Sequence, residues 1–273
     1  MKKTTLFIAF LVALSFTGCQ DVVAVDLITA EPKLVVEAAI NWKKGTTGSV
    51  QKIILSTTAD FYGAVIPKVS NAVVTIKSSN NTIFNFVESS IKGEYICSNF
   101  KPVLDESYTL TIIRNSQIYT AVEKMTPVAA ITEIIQNNSS GFTGNEIQIK
   151  SYYLDPANQT NFYLYKYQYK TQAKSDFYVG LDQFYNGNVF FSISRNNELK
   201  KDDKVEITHF GISKNYYNYM AILVDTAGSG GGAPFQSPPA TVRGNVINTT
   251  NSADYPLGYF SLSEVDTKIY TIQ

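Results

Sequence analysis

Histidine occurs once and cysteine twice in the 273 residues of this chain. A single imidazole, His209, removes most zinc sites, serine triads and cysteine–histidine dyads together, because each needs histidine beside other specific groups. The chain also lacks a long hydrophobic run. A membrane-crossing helix needs about 20 apolar residues, and the longest stretch, Leu6–Leu14, falls well short. Charge of either sign is not in excess: 23 basic residues face 23 acidic ones. A balanced chain offers no basic face for nucleic acid and argues against a strongly charged substrate.

The chain opens with a processing signal. Lys2 and Lys3 give a positive start, the Leu6–Leu14 run follows, and Ser15-Phe16-Thr17-Gly18-Cys19 supplies small residues. Charge, length and flank are those of a signal peptide. Leu14 to Cys19 resembles the lipobox of bacterial lipoproteins, with Phe16 where leucine is usual. In that motif the cysteine sulfur takes a diacylglycerol and becomes the new N-terminus. The competing reading is an ordinary signal peptide followed by a chance cysteine. One acyl chain holds a membrane marginally and stable anchoring takes two or more; bacterial lipoproteins normally carry three. Residues 1–18 are therefore expected to be the signal peptide, Cys19 the lipid attachment site and 19–30 a tether. Lipid on Cys19 leaves Cys97 without an intrachain partner, so a small buried hydrophobe in a strand is expected there.

From Leu34 onward the apolar period is two. Leu34, Val36, Ala38 and Ile40 alternate with Val35, Glu37, Ala39 and Asn41. Further short strands are expected at Val50–Thr58, Val73–Lys77, Thr82–Val87, Tyr95–Ser98, Tyr108–Ile113 and Gln117–Val122, separated by Ser- and Asn-rich turns. Short strands at regular spacing read as a β-sandwich. Residues 31–127 thus have the size of one immunoglobulin-like sandwich. Gly93-Glu94-Tyr95-Ile96-Cys97 looks like the tyrosine corner of that superfamily, without the first cysteine. Residues 128–273 form a second, β-rich domain holding most of the 18 tyrosines. Its strands are expected at Glu146–Leu154, Asn161–Lys170, Val189–Ser194, Lys204–Gly211 and Thr241–Asn248. One helix is expected near 214–227, capped by Ser213, with Tyr216, Tyr219, Met220 and Leu223 at helical spacing. The fold class is mainly β: an N-terminal immunoglobulin-like sandwich plus a C-terminal aromatic-rich β domain with one α-helix.

In their order along the chain, several short pieces resemble a family of Bacteroidota lipoproteins labelled domain of unknown function 4249. They are Glu31-Pro32-Lys33-Leu34-Val35-Val36-Glu37, Tyr108-Thr109-Leu110, Asp155-Pro156 with Asn161-Phe162-Tyr163, and Lys201-Asp202-Asp203. Ile212-Ser213-Lys214-Asn215-Tyr216-Tyr217, Arg243-Gly244-Asn245-Val246 and Leu257-Gly258-Tyr259-Phe260-Ser261 complete the set. The resemblance implies no reaction and assigns no functional residues. It does imply an accessory or capture role, since such lipoproteins are often encoded beside TonB-dependent outer-membrane transporters. Acidic residues just after the cysteine resemble the surface-export signals of Bacteroidota lipoproteins; Asp21 matches in part, leaving surface-exposed and periplasm-facing placement both open.

The sharpest local feature is Tyr163, Tyr165, Tyr167 and Tyr169, which a period of two places on one strand face. Such a row either stacks sugar rings and packs a peptide or forms core. Gly228 to Gly232 lacks the Gly-Lys-Ser/Thr of a phosphate loop and follows a helix rather than preceding one, so it reads as a flexible loop, whose mobility would suit a contact role. His209, in a strand without nearby carboxylate or cysteine, reads as structural. Asp202-Asp203 point different ways in a turn, and a distant carboxylate pair such as Asp155 and Asp182 is allowed but not favoured. The expected function is a non-enzymatic, membrane-anchored binding lipoprotein of the outer membrane, without metal or cofactor. It would take a glycan or a peptide as accessory to a transporter. An envelope glycan hydrolase and an adhesin-like surface module are the alternatives.

Overall fold

The computed structural model describes residues 31–60, 65–142, 144–170, 172, 175–228 and 242–273. Among the described residues the chain is mostly β with one helix. The first half supplies β1 (Leu34–Lys43), β2 (Gln51–Thr57), β3 (Val73–Ser78), β4 (Ile83–Glu88), β5 (Glu94–Cys97), β6 (Ser107–Arg114) and β7 (Gln117–Lys124). The period-two reading of β1 holds: Leu34, Val36, Ala38 and Ile40 are buried and Glu37, Ala39 and Asn41 exposed. Tyr95 behaves as a corner tyrosine, its buried hydroxyl donating to Val69 O at 3.0 Å and accepting from Ala72 N at 3.0 Å.

The second half supplies β8 (Ile131–Ser140), β9 (Glu146–Leu154), β10 (Phe162–Tyr169), β11 (Ser175–Leu181), β12 (Val189–Asn196) and β13 (Lys204–Ile212). Then follow α1 (Lys214–Gly228), β14 (Ile247–Asn248) and β15 (Leu257–Thr271). Two sheets result. One has 12 strands in the order β11-β10-β13-β15-β1-β2-β5-β4-β3-β6-β7-β14, the other three in the order β12-β9-β8. Residues Pro32–Gln273 form one compact unit.

The long strand β15 joins the halves. Its first part pairs parallel with β1, from Val35↔Leu257 to Lys43↔Val265. Its second part pairs antiparallel with β13, from Phe210↔Val265 to Lys204↔Thr271. Phe260 and Leu262 consequently enter the core of the first half, and Ile272 enters that of the second. Two expectations need adjustment. Within the strand expected at Thr241–Asn248, whose first residue lies outside the described residues, only Ile247–Asn248 is strand; before it the Asn245 amide bonds both backbone groups of Phe260, so side chain replaces ladder. Strands β8, β11 and β15, absent from the sequence reading, are present.

Candidate functional site

Strand β10 lies between β11 and β13, so its backbone is paired on both sides. Helix α1 covers one face, where Phe162 meets Tyr217 at 5.3 Å between ring centroids. The other face carries the tyrosine row and looks at the three-stranded sheet. Tyr163, Tyr165, Tyr167 and Tyr169 are 1, 4, 0 and 0% exposed. Burying four phenols demands four hydrogen-bond partners, and neighbouring elements provide them. Tyr163 donates to Asp155 Oδ1 at 2.6 Å. Tyr165 meets the Tyr153 hydroxyl at 2.5 Å, Tyr167 meets Ser192 Oγ at 2.7 Å, and Tyr169 donates to Asp176 at 2.9 Å. The ligand-contact reading of this row is thereby corrected. Tyr163, Tyr167 and Tyr169 are core, because both faces of the sheet are covered, while Tyr165, though buried, also lines the cleft between β11 and β12.

His209 sits in the same interior, 1% exposed. Its Nε2 lies 2.6 Å from Ser151 Oγ and 3.0 Å from Ser192 Oγ, and among the described residues its Nδ1 has no partner. Burial pulls its pKa down to about 3, so the ring stays neutral and cannot readily take a serine proton. No carboxylate bonds its second nitrogen. This contact therefore lacks the base, the orienting group and the solvent access that a nucleophilic serine needs. Asp155 and Asp182 are both buried, at 1% exposed each. Their oxygens hold loops: Gly187 N donates to Asp155 at 3.1 Å, and Asn161 N donates to Asp182 at 2.7 Å. Burial is the main cause that pushes the Asp155 carboxyl up. Asp202 and Asp203 lie in the turn entering β13. Among the described residues no three His, Cys, Asp or Glu side chains gather as a metal cluster. Cys19 and residues 229–232 of the glycine run lie outside the described residues.

The aromatic opening lies at the edge of the row and touches it at Tyr165. Strands β11 and β12 follow one another in the chain, joined by residues 182–188, yet they do not pair. Each is the outermost strand of a different sheet. Their linking loop is braced by Tyr185 N donating to Asp182 O and Asn188 N to Tyr185 O, both at 2.8 Å. A cleft of about 450 Å³ fills the gap between the splayed strands. Tyr165, Tyr178, Phe184, Tyr185, Phe190 and Ile193 line it, and none of its described lining residues is charged. Tyr185 and Phe190 stack at 3.6 Å with an interplanar angle of 4°. Phe184 stands at the rim, 91% exposed. Gly180 lets Tyr165 reach the wall, since a Cβ there would meet its hydroxyl at 2.6 Å. Apart from Tyr165, none of these residues is among the candidate site residues expected from the sequence. The signal was present as Phe184-Tyr185 and Phe190-Phe191 flanking Asn186-Gly187-Asn188.

Among solved structures, the chain is similar to a two-domain fibronectin type III segment of chicken tenascin. Identity there is 13%, coverage 66% of this chain and 90% of that one, and the TM-score 0.22. Three fibronectin domains of chicken CNTN1 match at 14% identity, 66% and 60% coverage and a TM-score of 0.25. A DUF4785 family protein of Legionella pneumophila matches at 8% identity, 65% and 52% coverage and a TM-score of 0.27. No curated protein matches. The model of one family, domain of unknown function DUF4249, matches residues 20–269, and with nearly the whole chain from the tether onward inside that match, the protein belongs to the DUF4249 family.

Proposed function

We propose that this chain is a membrane-anchored, non-enzymatic binding lipoprotein of the bacterial outer membrane. It captures an extended, apolar peptide segment in the cleft between β11 and β12, and it serves as accessory to a TonB-dependent nutrient transporter. The observation that carries the capture role is the splayed strand pair. Consecutive strands left unpaired at the rims of two sheets each keep one row of backbone donors and acceptors open. An added strand can use such a row while its alternate side chains enter a pocket. The cleft volume of about 450 Å³ is in the usual range for ligand sites. Its uncharged aromatic walls suit Leu, Phe or Met side chains. Its described lining holds no amide, carboxylate or guanidinium, the groups that bond paired sugar hydroxyls most effectively. The signal peptide with Cys19 supports the anchor, and the family resemblance supports the transporter link.

The test is titration calorimetry of the mature chain against a library of hydrophobic tetra- to octapeptides. Binding is expected for sequences with alternating apolar residues. Phe184→Ala is expected to weaken it about tenfold, the equivalent of ~1.4 kcal/mol, while leaving thermal stability unchanged because the ring is exposed. Equal affinity in the variant, or no peptide bound, overturns the capture site. Affinity purification from gently solubilised membranes, with Cys19→Ala as control, tests the second half. A transporter that copurifies only with the lipidated chain is the expected result.

A further inference from the structure

A second cleft, of about 410 Å³, lies against α1 and shares no described lining residue with the first. One wall is the helix face Asn215, Asn218, Tyr219 and Ile222, the spacing of adjacent turns. The opposite wall is the segment Val242–Asn245, and Tyr259 of β15 closes the cleft. That segment is held close to the sheet. The Asn245 amide donates to Phe260 O at 2.8 Å and accepts from Phe260 N at 2.9 Å. Beside it, a Cβ on Gly244 would come within 1.6 Å of Gly258 O, so only glycine fits. Arg243 is therefore presented from a fixed backbone. Its guanidinium stacks on Tyr255 with Cζ 3.9 Å from the ring centroid, and Lys33 Nζ lies 3.7 Å from the same centroid. Among the described residues neither cation has a carboxylate within salt-bridge distance.

Acids also stand around this cleft: Glu123 and Glu37 near it, and Asp225 one turn beyond Ile222 on α1. Glu123 accepts from Ser213 Oγ at 2.9 Å and from the Tyr259 hydroxyl at 3.3 Å, and burial pushes its carboxyl up. Glu37 is close enough to act on the Tyr219 hydroxyl but makes no ion pair with Arg243. Helix α1 has no acidic residue in its first turn, so its N-terminal end adds positive potential. Asn215 and Asn218 are exposed and present both donor and acceptor to solvent.

We propose that this cleft binds a hydroxy acid the size of one acidic sugar. The carboxylate would take the fork of Arg243, which matches its two oxygens, and vicinal hydroxyls would take the amides of Asn215 and Asn218. Tyr255 fixes the guanidinium plane, and Lys33 adds long-range attraction. The volume admits one ring rather than a long polymer. Because the peptide cleft is separate, the site stands or falls independently of it.

The experiment titrates the mature chain with glucuronate, glucose and inorganic phosphate, followed by amide chemical shifts and calorimetry. Glucuronate is expected to bind, shifting the side-chain amides of Asn215 and Asn218, and glucose to bind at least tenfold more weakly. Arg243→Gln is expected to lose at least tenfold in glucuronate affinity and Arg243→Lys to fall between. The exposed position predicts unchanged folding, checked by the melting temperature. Glucose binding as tightly as glucuronate, phosphate binding without glucuronate, or an unaffected Arg243→Gln variant each overturns the proposal.

Discussion

Each hydroxyl of the buried tyrosine row answers a specific group, and each of those groups was placed there by another part of the chain. Asp155 comes from the end of β9, Ser192 from β12, and Asp176 from β11. His209 shares this interior, and among the described residues no protein group bonds its Nδ1. Its pKa falls from 6.5 to about 3 on burial. Above pH 6.5 the ring is neutral whether the chain is folded or not. Between the two values the unfolded chain binds a proton that the native one refuses, so His209 lowers stability as pH falls, by at most about 1.4 kcal/mol per pH unit. Asp155 and Glu123, raised in the folded state, work in the opposite direction. The contribution of the histidine is therefore read as a difference. Urea unfolding from pH 7 to pH 4 is expected to show a shallower loss in His209→Phe than in the parent chain. Parallel slopes would mean that the ring takes up a proton without unfolding.

At the scale of single elements, much of the architecture was legible in the chain. The alternation of Leu34–Ile40 reports β1 directly, and Ser213 does cap the helix, its Oγ accepting from Tyr216 N at 3.2 Å. The period of β10 identified which tyrosines share a face but could not say which face is covered. Covering depends on β9 and β12, about ten to thirty residues away in the chain, and on α1. The cleft was harder still. Asn186-Gly187 is a hairpin signal, and a local reading of it pairs β11 with β12. The structure splays them, because Asp155 and Asp182 anchor the loop to neighbouring segments instead. Strand β8 was hidden for another reason: its outer half, with Gln136, Asn137, Asn138 and Ser139 exposed or half-buried, carries little apolar alternation. One close contact of this kind permits a sharp test. Gly211 of β13 lies against the crossover between halves, where a Cβ would sit 1.9 Å from Pro127 O. Backbone cannot swing aside as a flexible side chain can. Gly211→Ala is expected to cost 3 kcal/mol or more, on the order of a severe core mutation, and to appear as a large drop in urea midpoint. Gly45→Ala, at a position with open space but φ of +77°, is expected to cost only about 1 kcal/mol.

At the scale of the whole molecule, tyrosine content becomes a liability at high pH. Burial raises the hydroxyls of Tyr153, Tyr163, Tyr165, Tyr167 and Tyr169 well above their ordinary value of 10.0, and that of Tyr108 to about 12. Above pH 10 the unfolded chain gives up these protons and the native chain keeps them. Stability present below pH 10 is therefore lost as pH rises, steeply because several groups act together. A cooperative alkaline transition is expected, with tyrosinate absorbance and loss of β-sheet circular dichroism sharing one midpoint. Gradual ionisation ahead of the loss of structure would contradict this account.

The parallel pairing of β1 with β15 also bears on when the molecule can exist at all. A ribosome delivers Leu34–Lys43 early and Leu257–Thr271 late, and ordering the many residues between them is an entropic cost that must be met before the contact rewards it. Until the last strand emerges, β1 has one open edge, and the first core lacks Phe260 and Leu262. The growing polymer thus stays incomplete throughout synthesis. A translocation channel that accepts only extended chains would find it still threadable, and final assembly would wait until both ends had arrived on the same side.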